Sequence, residues 1–264
     1  MIESSREKGT NLTSASEKPI SNSTDFSRLT QMLTRDDDAM NLDRVDAFLT
    51  FLNIEVSSAV KELEKVAEDS RKHLQKLVYA NVVDRFDATV DHLLIDNVTF
   101  EPLLSETLES LQDKITEGDV LKLLSSATDV PARIRERCEG VLRGGLLRER
   151  HSRKVKKVFE VLANNQSLNK PRVNINTGAI LAQFKSHNKK IPASIPGYAD
   201  WLYSRRNAIV HGGGGVRMLS NDLKQLKETY HCDVAKTVKL KIGSITNAVE
   251  FFRSALQLLK GTAS

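Results

Sequence analysis

Residues 45–63 read VDAFLTFLNIEVSSAVKEL, and this stretch decides the fold. Val45, Phe48, Leu49, Leu52, Val56, Val60 and Leu63 recur mostly at steps of three and four, which gathers them on one face of a helix. No Gly or Pro interrupts them. A second stripe follows in residues 74–93, LQKLVYANVVDRFDATVDHL, through Leu74, Leu77, Val78, Val82, Phe86, Val90 and Leu93. Asn97 and Pro102 end it, because proline disfavours helix in the residue before it. Two long amphipathic segments joined by a short connection predict an antiparallel helix pair, the spine of a bundle.

Working outward, the middle of the chain is more broken. Leu103 to Ile115 and Val120 to Leu124 read as shorter helices, and Ile134 to Leu147 as a helix interrupted by Gly144-Gly145. Val155, Val158, Phe159 and Leu162 form another stripe, followed by a polar turn from Asn164 to Pro171. Ile180, Leu181 and Phe184 predict a further short helix, and Pro192, Pro196 and Gly197 a loop. Tyr198 to His211 is a helix stopped by four glycines, Gly212 to Gly215. Leu223 to Tyr230 and a long final helix from Val234 to Lys260 close the chain. With no strand alternation and no repeat, the predicted fold class is all-α. It is a multi-helix bundle with two long antiparallel N-terminal helices and a long C-terminal helix. Residues 1–40, rich in Ser, Thr, Asn, Lys and Glu, read as a flexible tail whose Phe26, Leu29, Met32 and Leu33 fall at helical spacing. Residues 41–264 form the predicted domain.

Composition agrees with a packed helical core. Of 264 residues, 40% are hydrophobic but only 5% aromatic, a balance that favours helix-on-helix packing over a β-sandwich. The net charge of +5 leans towards anionic partners. Cys138 and Cys232 are far apart and in no paired-ligand spacing, which argues against a disulfide scaffold and for a reducing compartment. No apolar run suits a signal or a membrane span, so the expected location is cytoplasmic and no membrane partner is expected. The sequons at Asn11 and Asn97 then read as accidental.

The phosphate-cradling loop, the nucleophile elbow and the paired-His zinc motif are all missing from the sequence. His231-Cys232 has no second pair at workable spacing, and no metal or cofactor is implied. The main basic concentration includes Arg148, Arg150, Arg153, Lys154, Lys156 and Lys157. Two readings of it stand level: a solvated helix face, the default for any run of charge, or contacts to RNA phosphates, for which guanidinium forks are well matched; the same run would also serve a partner protein.

The informative short motif is Arg206-Asn207-Ala208-Ile209-Val210-His211-Gly212. An Arg, an Asn, three residues, then His and Gly at a helix end resembles the signature R-x(4–6)-H of the HEPN superfamily, and RNAIVHGG is similar to its RiboL-PSP-type members. Beyond the motif, the resemblance covers only the helix pattern across about Leu42 to Lys260. It implies a homodimeric, metal-independent endoribonuclease, used in microbial defence or as a toxin, with His211, Arg206 and Asn207 as catalytic residues. A regulatory partner protein is implied as well. Toxins regulated by an adenylylating antitoxin carry Tyr two residues after the His, where this chain has Gly213, so that form of control is not expected.

The chemistry of the residues runs parallel. RNA carries its own nucleophile, the 2′-hydroxyl, so cleavage requires a base, an acid and a cation at the phosphorane. Imidazole is the side chain that takes and gives protons near neutrality. Guanidinium remains charged and binds two phosphate oxygens together. One chain offers one such His, so two copies about a two-fold axis would supply both acid and base. Arg206 and His211 lie about 140° apart on a regular helix, so a composite cleft or an unwound last turn is needed to join them. Arg205, a further RNA-binding candidate, falls on the apolar stripe of Tyr198, Leu202 and Ile209, where it is expected to pair with a buried acid or face a subunit interface. Two other readings remain open. Arg206 and His211 could simply complement the helix C-terminus, and the chain could be a non-catalytic module that dimerises and binds RNA, nucleotide or a partner protein.

Overall fold

A computed structural model describes residues 40–110, 125, 129–163, 167–185, 188–212 and 216–263. It is all-α, and among the described residues β pairing is confined to two isolated bridges. The first predicted stripe is continuous helix, built as α1 (Asp43–Phe51), a π turn (Leu52–Val56) and α2 (Ser57–Lys65). The wide turn keeps both Leu52 and Val56 in the core, and the Ser57 hydroxyl donates to the Leu52 carbonyl at 3.1 Å. After a two-residue break, α3 (Glu68–Asp96) runs back antiparallel. Contacts between Arg44 and Asp96 at one end and Arg85 and Glu55 midway fix that direction. Asn97 closes α3 by donating its side-chain amide to Leu93 O and Asn41 O, and it is buried, which removes its sequon from the surface.

Among the described residues four further helices follow: α4 (Leu103–Glu109), α5 (Val130–Gly144), α6 (His151–Leu162) and α7 (Ile195–His211). Two of them start on side-chain caps beside a proline. The Asp129 carboxylate accepts from Ala132 N, and the Ser194 hydroxyl accepts from Gly197 N. Helix α8 (Ser220–Tyr230) ends on His231 in the left-handed region, φ 53°, and α9 (Ile242–Ala263) closes the bundle. Arg253 to Asn53 and Lys260 to Asp46 set α9 antiparallel to α1 and α2. The core is an aromatic cluster shared by α1, α3, α7 and α9. Phe86 stacks on Phe252 at 4.1 Å, Phe48 meets both, and Tyr198 packs on Phe251 at 4.9 Å. Full burial of each phenyl ring contributes about 1.5–3 kcal/mol.

Three expectations are corrected or bounded. Ile180, Leu181 and Phe184 form no helix. Ile180 bridges antiparallel to Val173, and Leu181 N donates to Arg172 O at 2.8 Å. Gly178 turns that loop at φ +85°, and a Cβ there would lie 1.9 Å from Asn247 O, so this loop is pressed onto α9 where only Gly fits. The final helix begins at Ile242, because residues 234–241 form an extended strap bridged at Thr237 to Arg217. Residues 1–39 and the helix expected at Val120 to Leu124 lie outside the described residues. No helix among those described is long and apolar enough to cross a membrane. Cys138 and Cys232 are both buried free thiols.

Candidate functional site

Helix α7 carries the whole motif, and each of its polar residues faces a different neighbour. Arg206 turns to α3, where its guanidinium grips the Asp84 carboxylate, Nε–Oδ1 at 2.5 Å and Nη2–Oδ2 at 3.0 Å. Nη1 donates to Asn207 Oδ1 at 3.3 Å. Asn207 in turn donates Nδ2 to Asp222 on α8 at 3.2 Å. The other Asp222 oxygen meets Arg150 Nη2 at 3.1 Å, and Arg150 also grips the fully buried Asp200 at 2.7 Å and donates to the Ser204 hydroxyl. Asp84, Arg206, Asn207, Asp222, Arg150 and Asp200 thus form one continuous polar chain across α3, α7, α8 and the start of α6. Burial raises the Asp200 carboxyl above its ordinary range against the opposing pull of Arg150.

Beside it lies a second cluster. Asp84, Asp87 and Asp91, spaced by three and four residues, share one face of α3. Lys154 of α6 inserts between Asp87 and Asp91 at 2.8 and 2.7 Å, with its side chain only 5% exposed. His151 bonds Asp87 through Nδ1 and stacks on Tyr203 at 4.9 Å. Burial alone would push the Asp87 carboxyl up, but His151 and Lys154 outweigh it and hold it down at about 2. A carboxylate lowered in the folded state contributes stability that is present above its ordinary range near 3.8 and lost as pH falls through about 2. Acid titration of unfolding should therefore show a loss of stability between about pH 4 and 2 that is diminished in Asp87→Asn. An unchanged profile in that variant refutes the pairing.

These contacts redistribute the residues expected to bind RNA. Lys154 is a correction: its ammonium is buried between two carboxylates and presents nothing to a phosphate. Arg150 is another, since Asp200, Asp222 and Ser204 take its fork. Arg153, Lys156 and Lys157 are paired with Glu149, Glu160 and Glu106, and Arg148 is exposed. Arg205 needs no buried acid. Its guanidinium lies over the Trp201 ring at 4.5 Å and donates to the Lys239 carbonyl at 3.0 Å and to the Ser244 hydroxyl.

His211 is different. It is the last residue of α7, exposed, and has no polar side-chain partner among the described residues. The helix does not unwind before it, because Gly212 N still donates to Ala208 O at 3.1 Å. The roughly 140° between Arg206 and His211 therefore persists within one chain. Val210 beside it is 46% exposed, an apolar residue left on the surface at the motif. Among the described residues, no group of three or more His, Cys, Asp or Glu side chains is placed to hold a metal ion.

One basic surface escaped the reading of the sequence. No Asp or Glu occurs between Asp200 and Asp222, nor between Asp233 and Glu250. The fold joins these two acid-free stretches: Met218 N donates to Lys236 O and Val238 N to Val216 O, around the Arg217–Thr237 bridge. Arg217, Lys236, Lys239 and Lys241 are exposed there, and among the described residues none is paired with a carboxylate. The signal available in the sequence was the absence of acids, which a search for dense Arg and Lys passes over. Comparison of the chain with known protein families, with curated proteins and with solved structures returns no match.

Proposed function

We propose that this protein is a metal-independent endoribonuclease of HEPN type, acting as a homodimer with a composite site, in a setting of microbial defence or toxin–antitoxin control. The observation that carries the reading is the contrast within the motif: Arg206 and Asn207 are locked by neighbours, whereas His211 stands exposed at the end of a rigid helix. A guanidinium has five N–H donors, and Asp84 and Asn207 leave one each on Nη1 and Nη2 for a phosphate. Asp84 thereby aims the fork and Asn207 positions it.

One His211 removes the 2′-hydroxyl proton as that oxygen attacks phosphorus. The His211 of the second copy gives a proton to the departing 5′ oxygen as the P–O5′ bond breaks. The products are a 2′,3′-cyclic phosphate and a 5′-hydroxyl, with Arg206 stabilising the charge-rich phosphorane. The exposed Val210 beside each imidazole suits a contact between two such copies.

The test is to incubate the purified chain with RNA in the presence of a chelator and identify the ends. Cyclic phosphate and 5′-hydroxyl termini are expected, and 3′-hydroxyl ends or chelator-sensitive cleavage would overturn the reading. A second reading, a non-catalytic module that dimerises and binds RNA, nucleotide or a partner protein, is favoured by the engagement of Arg206 with Asp84. It predicts salt-sensitive RNA binding without cleavage.

A further inference from the structure

We infer that Arg217, Lys236, Lys239 and Lys241 form the track that holds the backbone of a single-stranded RNA beside His211. This inference deepens the ribonuclease proposal and rests on its choice of RNA as ligand. Along the strap, Thr237, Lys239 and Lys241 are exposed while Val238 is buried and Leu240 half-buried, the alternation of an extended chain packed by one face. Side chains two apart on such a chain recur every 6.6 Å or about that, the scale on which phosphates recur along an extended strand. Arg217, opposite Thr237 in the antiparallel bridge, projects on the same side as Lys239 and Lys241. Lys236, exposed one residue from the bridge, falls on the alternate side of the strap and flanks this row as a fourth cation.

The strap is fixed in advance. Val238 is buried in the core, and Arg205, seated on Trp201, bonds the Lys239 carbonyl. A ligand therefore meets these cations without first ordering the backbone that carries them. The track also lies near the imidazole end of α7: Arg205 sits six residues before His211 on the same helix, about 9 Å along its axis and about 120° round it. Arg217 follows His211 by six residues, which limits their Cα separation to about 22 Å. A polyanion laid on these four cations thus passes within a few nucleotides of His211. Two stretches without a carboxylate, joined near an exposed imidazole, suit a phosphate chain better than a protein partner, which would present carboxylates at irregular spacing.

Binding is to be measured by fluorescence anisotropy with a labelled single-stranded RNA, in a His211→Ala background so that no cleavage intervenes. Replacing the four cations together with Gln (R217Q/K236Q/K239Q/K241Q) is expected to weaken binding at least about tenfold and to lower the slope of log affinity against log salt by about three, from roughly 0.7 per phosphate contact. All four are exposed, and an unchanged melting curve checks that the variant is folded. The matching change in the predicted basic stretch (R148Q/R153Q/K156Q/K157Q) should alter affinity less than about twofold. Equal or greater loss in that second variant overturns the inference, and so does binding to polyglutamate as tight as to RNA. Failure of the two proposals is separable. A parent chain that binds through these four residues but never cleaves removes the ribonuclease and leaves the track. Cleavage with binding indifferent to them removes the track and leaves the ribonuclease.

Discussion

Replacing His211 with Ala is expected to lower the rate of RNA cleavage by about 10²–10⁴-fold, the usual contribution of a positioned general acid or base. Folding should be untouched, because the imidazole is exposed and touches no polar group among the described residues. Circular dichroism and the melting midpoint of the variant should match those of the parent. The composite-site proposal makes a sharper demand. If both acid and base come from His211 of different copies, a dimer with one altered copy lacks one of the two groups. Equimolar parent and variant protomers, allowed to exchange freely, should then retain roughly a quarter of the parent activity, the share of dimers with two intact copies. Retention of half would mean that each copy works alone. Arg206→Ala is a poorer probe, since it also strips Asp84 and Asn207 of their shared partner.

The largest effect on stability should come from Lys154→Ala. Its side chain is 5% exposed and sits between Asp87 and Asp91, with His151 against the first of them. Burial alone would lower the lysine pKa, but the two carboxylates raise it, so the ammonium remains charged. Removing one partner of a buried ion pair leaves the others uncompensated and costs about 3–5 kcal/mol. In a domain of this size that is a drop of about 6–20 °C in melting temperature. Lys156→Ala, two residues away in an exposed pair with Glu160, should change stability by less than about 1 kcal/mol. Adding Asp91→Asn to Lys154→Ala should recover part of the loss, because it removes one stranded charge. Lys154→Ala melting with the parent would show that the cluster does not hold α3 to α6.

The helical frame was legible because its signal is redundant. Over residues 74–93 the apolar period repeats for more than five turns, and no competing period survives that length. Residues 180–184 and 234–241 were misread for the opposite reason. Their apolar residues are few, and the four-residue step from Val234 to Val238 fits a helix as well as an extended chain. What decides between them is a backbone bridge, to Val173 seven residues back in one case and to Arg217 twenty residues back in the other, and apolar spacing carries no trace of either.

The candidate site divides along similar lines. The place of His211 at a helix end was readable from the four glycines after it, whereas its exposure was not. The burial of Lys154 did not, since a run of cations defaults to solvent. Its counterpart was visible, though: Asp84, Asp87 and Asp91 on one face of α3, directly beside the apolar Val82, Phe86 and Val90, are three acids adjoining a buried face and in want of cations.

The polar chain from Asp84 to Asp200 bears on how such a protein could change over time. Two of the three motif residues fasten helices to one another, and the third is free of that duty. If the proposed ribonuclease activity holds, a lineage that ceased to cut RNA could discard the imidazole at once, yet would still be bound to retain the Arg-Asn pair for cohesion. Shared Arg-Asn dipeptides would then mark kinship of architecture, and only the His would separate working nucleases from retired ones.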